Sequence, residues 1–394
     1  MMKKLGVLAL SACMLLTGCG SFGAGRAESA ANVTDVPPSP TPEPTPIVKT
    51  ITFSACGDNL IHDGIYLQAN ARANGDGYDF SYCYANLGDY FAQRDISWIN
   101  QETLINDELA PSTYPCFSTP GAMGHTLYDM GFRVFNQSNN HSYDKGITGL
   151  EATTRFWDSM PDDVVTFGLY HGPEDDGIAL QEVDGMTIAY LGYTEHTNGL
   201  PTPSGSPINV VYTSETDKLQ QQIQLADSQA DLVIVSNHWG VEGSHSVIDA
   251  QRTLAQQEAD WGANVIIGTG PHVVQTAEWL TAADGRPVFV AYSLGNFISA
   301  QAAANTMIGA VLEFDIEQTI QPDGSKSIEI LSPVLRPVVN HYDARYSNIR
   351  LYWYSDYNDE LAAQHGVRAR APGFSMEYIT DTLQGTIPAE FLAA

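Results

Sequence analysis

Strand-like and helix-like segments alternate along this chain from residue 50 onward, and this alternation restricts the possible folds more than any other feature. Apolar segments end at polar residues or glycine, and three intervening regions, 147–160, 214–230 and 247–262, have helical patterns. This order predicts an α/β fold, in which ligands bind at the carboxyl ends of the strands. The predicted strands are TITFSACGD, ISWINQE, FRVFNQSNNH, DVVTFGLYH, TIAYLGYTEH, LVIVSNHWG, VIIGTGPH, VFVAYSLGN and AVLEFDIE.

Potential metal ligands lie at the ends of several of these strands. Carboxylate, amide and imidazole groups gathered at one edge of a sheet suit a borderline divalent cation such as Zn, Mn or Fe. A single histidine at a strand end is more often structural, and Asp or Asn after Gly is usually turn chemistry. Their occurrence at five separate strand ends favours a metal or catalytic site. The candidates are Asp58, His62, Glu102, Asn140, His141, Asp144, His238 and His272.

Other chemistries have less support in the sequence. Ser293 lies in AYSLG, which lacks the first glycine of the nucleophile elbow of serine hydrolases. The chain has no P-loop, no GxGxxG after a strand and no CxxC pair. The net charge of -28 argues against nucleic acid as a partner. The other histidines, His125, His171, His196 and His245, are interpreted as surface or structural residues.

The N-terminus has the features of an export signal. Lys3 and Lys4 precede an apolar run that is too short to span a bilayer and ends in LTGC. This ending is similar to a bacterial lipobox, which implies a signal peptide over residues 1–18 and lipidation of Cys19. The alternative is an ordinary signal peptide with a chance cysteine. We expect a lipid-anchored protein at the extracytoplasmic face of the cell membrane.

Three further segments follow Cys19. Residues 19–49 are rich in Pro, Ser and Ala and predict an extended linker. One domain is expected over residues 50–340, and residues 341–394 are expected to form an extension packed on it. Cys56, Cys83 and Cys116 can form at most one disulfide, and a Cys83–Cys116 pair is conceivable.

The ordered motifs resemble those of a known family. They are ACGDNLIHDGIY, INQET, QSNNHSYDKGITGLEAT, VSNHWGVE, VIIGTGPHVVQ and AYSLGNFIS. They are similar to the CapA family of poly-gamma-glutamate capsule synthesis proteins, within the calcineurin-like metallophosphatase superfamily. The resemblance covers roughly residues 50–340 and implies a four-layer α/β/β/α sandwich of the metallophosphatase type.

The resemblance also implies roles for the strand-end residues. The implied metal ligands are Asp58, Glu102, Asn140, His238 and His272, and His62 and His341 are possible additions. His141 would serve as the acid or base, with Asp144 as the second candidate catalytic residue. The family usually has His-Pro-His where this chain has Gly-Pro-His, so Gly270 replaces one expected imidazole. The site would therefore hold one or two Mn, Fe or Zn ions, with the second in doubt.

Two functions are compatible with this sequence. The resemblance implies a surface-anchored, metal-dependent hydrolase that acts on a phosphoester or an amide of an envelope polymer, poly-gamma-glutamate or a similar chain. The alternative is a noncatalytic lipoprotein with a vestigial metal site that binds or guides the polymer. An acidic protein repels a polyanion unless metal ions or local basic residues intervene.

Overall fold

The structure is a computed structural model that describes residues 45–172 and 175–393. The predicted signal peptide, Cys19 and the linker up to residue 44 lie outside the described residues. Eighteen strands are present within the described part. They are β1 (Ile47–Asn59), β2 (Ile96–Asn100), β3 (Ile105–Asn106), β4 (Thr119–Pro120), β5 (Val134–Asn136), β6 (Val165–Phe167), β7 (Tyr170–His171), β8 (Ala179–Val183), β9 (Met186–Thr194), β10 (Ile208–Asn209), β11 (Leu232–His238), β12 (Val265–Thr269), β13 (Ala277–Thr281), β14 (Pro287–Ala291), β15 (Asn296–Ile298), β16 (Ile308–Ile320), β17 (Lys326–Asp343) and β18 (Ser347–Trp353).

The helices connect these strands or follow the last of them. The α-helices are α1 (Asp63–Arg72), α2 (Ser81–Tyr84), α3 (Ala122–Asp129), α4 (Gly146–Asp158), α5 (Thr216–Gln229), α6 (Asp249–Trp261), α7 (Asp359–Gln364) and α8 (Met376–Thr386). Short 3-10 segments are Ala85–Leu87, Phe91–Gln93, Asn305–Met307, Ala344–Tyr346, Tyr354–Asp356 and Gly366–Ala369. Local sequence sets several boundaries. The Ser375 hydroxyl accepts a hydrogen bond from the Tyr378 amide at 3.1 Å and begins α8, and Gly262, with φ of 132°, ends α6.

The first large sheet combines a parallel half with an antiparallel half. Its order is β18-β17-β16-β1-β2-β5-β6, and β15 also pairs with β1. Strands β1, β2, β5 and β6 are mutually parallel, whereas β16, β17 and β18 extend the other side as antiparallel neighbours. The carboxyl ends of the four parallel strands therefore lie at one edge of the sheet.

The second large sheet is mostly parallel. Its order is β13-β14-β12-β11-β9-β8, and only the outer strands β8 and β13 are antiparallel to their neighbours. The central strands β11 and β12 are buried along their whole length. Their apolar runs, such as Leu232–Val235, are typical of parallel strands that are covered on both faces.

The two sheets face each other across the main core. Trp98 of β2 lies 6.2 Å from Phe167 of β6, and Phe167 lies 5.7 Å from Tyr190 of β9, measured between ring centroids. Helices cover the outer faces: Trp157 of α4 contacts Phe135 of β5 with ring centroids 4.5 Å apart. The other sheet packs its outward apolar residues on α5 and α6. The chain therefore forms a four-layer α/β/β/α sandwich, which confirms the fold expected from the sequence.

The three predicted helices are present in the structure and correspond to α4, α5 and α6. Strand β17 continues from Lys326 to Asp343, through the predicted boundary between residues 340 and 341. Cys56, Cys83 and Cys116 are free in the structure. Among the described residues, no helix is both long enough and apolar enough to span a membrane.

Candidate metal centre

Four of the predicted ligands come from the carboxyl ends of parallel strands. Asp58 is the penultimate residue of β1, and His238 is the last residue of β11. Glu102 follows β2, and His272 follows β12. All four side chains are buried. Because the facing sheets present these strand ends at the same side, residues distant in sequence meet in one place.

Three of these residues form a compact cluster. The Asp58, Glu102 and His272 side chains each place one potential ligand atom within 4.8 Å of the others. Nδ1 of His272 is hydrogen-bonded to Oδ2 of Asp58 at 2.9 Å, and its Nε2 lies 3.8 Å from Oε1 of Glu102. His238 joins from the other sheet, with Nε2 also 3.8 Å from Oε1 of Glu102. Glu102 is therefore the carboxylate that both imidazoles approach.

Neighbouring polar groups orient the cluster. The Asn100 amide donates a hydrogen bond to Oδ1 of Asp58 at 2.7 Å. The Thr269 hydroxyl is hydrogen-bonded to Nδ1 of His238 at 3.0 Å, which leaves Nε2 of that ring directed toward Glu102. Such contacts fix the orientation of a ligand and the tautomer of an imidazole. A Cβ on Gly57, next to Asp58, would lie 1.9 Å from the Gly295 carbonyl, so only glycine fits there.

Burial and neighbouring charges shift the pKa values of the cluster residues in opposite directions. Burial, followed by the charge of Asp58, raises the pKa of Glu102 well above its usual value. Burial also raises the pKa of Asp58, but the hydrogen bond and charge of His272 outweigh it and hold that pKa low. Burial lowers the pKa of His238 to about 3. Burial also lowers the pKa of His272. The charge of Glu102, with the hydrogen bond and charge of Asp58, outweighs this effect and raises the pKa of His272 to about 10.

The unsatisfied oxygens of the cluster fit a cation. Both carboxylate oxygens of Glu102 are buried without a hydrogen-bond partner, and so is Oδ1 of Asn140. A buried carboxylate with no partner is costly, and a bound cation would supply the missing interaction. Carboxylate and amide oxygens together with imidazole nitrogens suit Mn, Fe or Zn. The residues present therefore fit a divalent metal ion.

His141 and Asp144 form a hydrogen-bonded pair beside the cluster. Nδ1 of His141 lies 2.8 Å from Oδ2 of Asp144, and the same oxygen accepts a hydrogen bond from the Phe117 amide at 2.6 Å. The Phe117 ring packs edge-on against His141, with centroids 4.7 Å apart, and against His62, with centroids 5.3 Å apart. The Asn139 side chain accepts from the His141 amide at 2.9 Å. The pair fixes the imidazole ring of His141 and leaves its Nε2 free.

A cavity of about 340 Å³ opens onto His141 and His272. Sequence reasoning missed four residues of its wall that carry polar groups: Tyr114, Asn198, Glu242 and Gln301. They lie on loops and not at strand ends, so strand periodicity gave no signal for them. Glu242 is part of the VSNHWGVE motif, which was the one available clue. The full lining is Leu60, His62, Tyr114, Pro115, Phe117, Asn140, His141, Asn198, Glu242, His272 and Gln301.

The two additional ligand candidates have different positions. His62 lines the cavity, but its Nδ1 is within 3.2 Å of both the Leu60 carbonyl and the Ala300 amide. It does not belong to the compact three-residue cluster. The structure does not bring His341 to the cavity. Its Nδ1 contacts the Tyr357 hydroxyl at 2.6 Å and its Nε2 contacts Asp343 at 3.0 Å, because β17 turns the ring toward the C-terminal segment.

Gly270 has a backbone role in the Gly-Pro-His turn. Its φ is 107°, and a Cβ at this position would lie 2.9 Å from the Trp239 carbonyl oxygen. His272, two residues later, also has a positive φ of 60°, which is uncommon for a residue other than glycine. The turn is therefore strained where it directs His272 into the cluster.

Comparison with known proteins identifies the family of the chain. The family model for the bacterial capsule synthesis protein PGA_cap matches residues 52–301. The chain is 33% identical over 193 residues to the PGA biosynthesis protein CapA of Bacillus subtilis (strain 168), covering 49% of each chain. It is 31% identical over 193 residues to the capsule biosynthesis protein CapA of Bacillus anthracis, covering 48% of this chain and 45% of that protein.

The matched part of these relatives is limited. The chain spans about half the length of the curated relatives it matches. Among solved structures, it is similar to the NAD nucleotidase NadN of Haemophilus influenzae, with a TM-score of 0.43 and 15% identity, covering 88% of this chain and 64% of that chain. Since the family model covers more than half of the sequence, this protein belongs to the bacterial capsule synthesis protein PGA_cap family, as its resemblance to CapA proteins predicts.

Proposed function

We propose that this protein is a metal-dependent hydrolase of the bacterial envelope that cleaves a phosphoester or an amide bond in a capsule polymer or its precursor. The observation that carries the proposal is the buried, unpartnered carboxylate of Glu102 between His238 and His272. A buried carboxylate with a purely structural role would accept hydrogen bonds from neighbouring protein groups. The family membership supports the connection with capsule synthesis.

The residues of the cluster would hold the cation. Asp58, Glu102, His238 and His272 meet at the strand ends, and Asn140 offers a free amide oxygen in the cavity wall. A bound divalent cation would lower the pKa of a water molecule and stabilise negative charge on an attacked phosphoryl or carbonyl group. Proton transfer would be carried out by side chains of this chain.

His141 is the proton donor in this proposal. Because Asp144 engages Nδ1, the free Nε2 of His141 can protonate the leaving group of a substrate in the cavity. Asp144 is a positioning residue, since it fixes the ring and stabilises the protonated imidazole. Such an arrangement serves a phosphoester and an amide equally, because both need a protonated leaving group.

The place of action proposed is the extracytoplasmic face of the membrane. The LTGC sequence before Gly20 supports lipidation of Cys19, and the proline-rich residues 19–49 would act as a spacer between the anchor and the sandwich. The polymer would be poly-gamma-glutamate or a related chain, which the names of the CapA relatives support.

A metal-dependent assay tests the hydrolase proposal. The purified chain should hydrolyse 4-nitrophenyl phosphate, bis-4-nitrophenyl phosphate or gamma-glutamyl 4-nitroanilide when supplied with Mn, Fe or Zn, and a chelator should abolish the activity. His141→Ala should lower the activity, most of all on gamma-glutamyl 4-nitroanilide, whose leaving nitrogen needs a proton, and His171→Ala, a change at an exposed histidine outside the cavity, should not. Stoichiometric metal binding without hydrolysis of any of these substrates would favour the noncatalytic, polymer-binding alternative.

A further inference from the structure

The cavity beside the metal cluster is poor in positive charge. Among the residues that the structure describes, no lysine or arginine lines it. Four carboxylates lie in or beside it: Asp58, Glu102, Asp144 and Glu242. Even two bound divalent cations would only balance these four charges. A substrate with several negative charges would therefore find no excess positive charge here to compensate for its desolvation.

Glu242 is the carboxylate at the exposed side of this cavity. It lines the wall with His141 and His272, and it forms no ion pair with any described residue. Its carboxylate lies beside the cluster, because Glu242 and the cluster residue His272 line the same cavity. A solvent-accessible carboxylate directed at a reaction site, with no protein partner, is available to a ligand.

The loop that carries Glu242 is fixed on two sides. The Gly243 amide donates to the Pro271 carbonyl at 2.8 Å, and the Gly243 carbonyl accepts from the Asn305 side chain at 3.0 Å. Further along, Nδ1 of His245 is hydrogen-bonded to the Val274 carbonyl at 2.8 Å. These contacts tie the loop to the turn that bears His272, so Glu242 keeps a defined position relative to the cluster.

Tyr114 adds an aromatic surface to the same cavity. Its side chain is 74% exposed although it lines the wall. The loop behind it is fixed by paired backbone hydrogen bonds between Ser112 and Ser118, of 2.9 and 3.1 Å, and by the Thr113 hydroxyl, which accepts from the Asp63 amide at 3.1 Å. An aromatic face together with a carboxylate is a favourable environment for an ammonium group.

We infer that Glu242 and Tyr114 determine specificity by selecting substrates with a cationic amine next to the scissile bond. This inference rests on the proposed function, since it concerns the substrate of the same site. Glu242 supplies the countercharge, Tyr114 supplies a cation–π surface, and a carboxylate-bearing group in the same position is repelled. The recognised part is thus an amine, such as the free amino end of a poly-gamma-glutamate chain, and not the run of carboxylates along that chain.

Binding of nonhydrolysable phosphonates tests this inference independently of turnover. Calorimetry with the metal-loaded chain would compare 2-aminoethylphosphonate with propylphosphonate and with 3-phosphonopropionate. We expect 2-aminoethylphosphonate to bind roughly five- to tenfold more tightly than propylphosphonate, whose substituent is uncharged, and 3-phosphonopropionate to bind most weakly. The preference for the amine should decrease as ionic strength rises, because the exposed charge of Glu242 is screened.

Matched variants assign the preference to these residues. Glu242→Gln should remove the preference for the amine, and Tyr114→Ser should reduce it, whereas Tyr114→Phe should retain it. Glu182→Gln, a change at an exposed glutamate outside the cavity, is the control. Equal affinity for the amine and propyl compounds in the wild type, or equal losses in Glu242→Gln and Glu182→Gln, would overturn the inference. Selective binding of the amine without hydrolysis of any substrate would leave the inference intact and contradict the hydrolase proposal.

Discussion

His272 reaches Asp58 across 214 positions of sequence, with Nδ1 and Oδ2 2.9 Å apart, from a backbone with a positive φ. The hydrogen bond joins the end of β1 in the first sheet to the turn after β12 in the second. The cluster can therefore form only if the two sheets pack with these strand ends next to each other. The cluster is a property of the whole sandwich and not of one local motif.

Replacing Glu102 tests the metal assignment. Glu102→Gln removes the carboxylate that both imidazoles approach but keeps the volume of the side chain. Bound Mn, Fe or Zn should fall well below the wild-type stoichiometry in elemental analysis of the purified protein, because one ligand loses its charge. The metal-free variant should still fold, because Glu102 has no hydrogen bond to lose, although its charge contact with His272 is removed. Unchanged metal content would contradict the assignment.

Asp144→Asn separates the positioning of His141 from metal binding. The amide can still accept from the Phe117 amide, but it cannot stabilise a protonated His141. We expect hydrolysis to fall by about tenfold or more and metal content to stay unchanged. A loss of metal together with activity would show instead that Asp144 supports the cluster itself.

Gly270 should be required for the backbone and not be an empty ligand position. Gly270→Ala should destabilise the protein by about 1 kcal/mol or more, because the new Cβ meets the Trp239 backbone at a positive φ. Gly285→Ala is the matched control, since Gly285 also has a positive φ, of 90°, but has open space around it. Urea denaturation should show the larger loss at Gly270. Gly270→His should likewise lose stability without binding more metal, and a gain of metal at unchanged stability would contradict this prediction.

Glu258 should make stability depend on pH. It is fully buried, it accepts one hydrogen bond from Asn237 at 2.8 Å, and burial raises its pKa from 4.5 to about 8. The folded state thus favours the protonated form. The contribution of Glu258 to the free energy of unfolding is complete below pH 4.5. It is lost as pH rises from 4.5 through 8, by about 1.4 kcal/mol for each pH unit between these two pKa values.

Glu258→Gln cannot ionise, so it should be free of this loss. Urea denaturation at pH 5, 7 and 9 should show similar stability of the variant and the wild type at pH 5 and a more stable variant at pH 9. Glu182→Gln, at an exposed position, should follow the wild type. Parallel stability profiles of Glu258→Gln and the wild type would show that Glu258 does not carry this dependence.

Cys19→Ser tests membrane anchoring. The LTGC pattern predicts that the wild type carries lipid on Cys19 and fractionates with membranes, and that the variant is released with its metal content unchanged. Mass spectrometry of the N-terminal peptide would detect the lipid. An unlipidated wild type, or a variant that stays in the membrane fraction, would exclude the lipoprotein interpretation.

Periodicity in the sequence predicted an α/β fold and the strand-end residues, whereas the four-layer sandwich was implied by the resemblance to the CapA family. Apolar runs that end in polar residues locate the ends of parallel strands, and the topology of α/β folds brings those ends together. Asp58, Glu102, His238 and His272 were found by this reasoning, and the structure places them within one cluster. The helices α4, α5 and α6 were visible for the same reason.

The rest depended on contacts that periodicity does not encode. Tyr114 and Glu242 lie on loops, where their direction is set by hydrogen bonds to distant segments. His341 was a candidate ligand because the C-terminal segment could reach the site, but the pairing of β17 decides which face of the strand it occupies. The strain at Gly270 depends on the Trp239 backbone, which is adjacent in space and 31 residues away in sequence.

Phe117 gives the loop around Tyr114 a second constraint. Its amide bonds to Asp144 and its ring separates His62 from His141, so the loop ends at the group that orients the proton donor. An insertion or deletion between residues 107 and 116 would change which amide faces Asp144. Residues at the tip of the loop can therefore vary, whereas the length of the loop is restricted by the hydrogen bond between the Phe117 amide and Asp144.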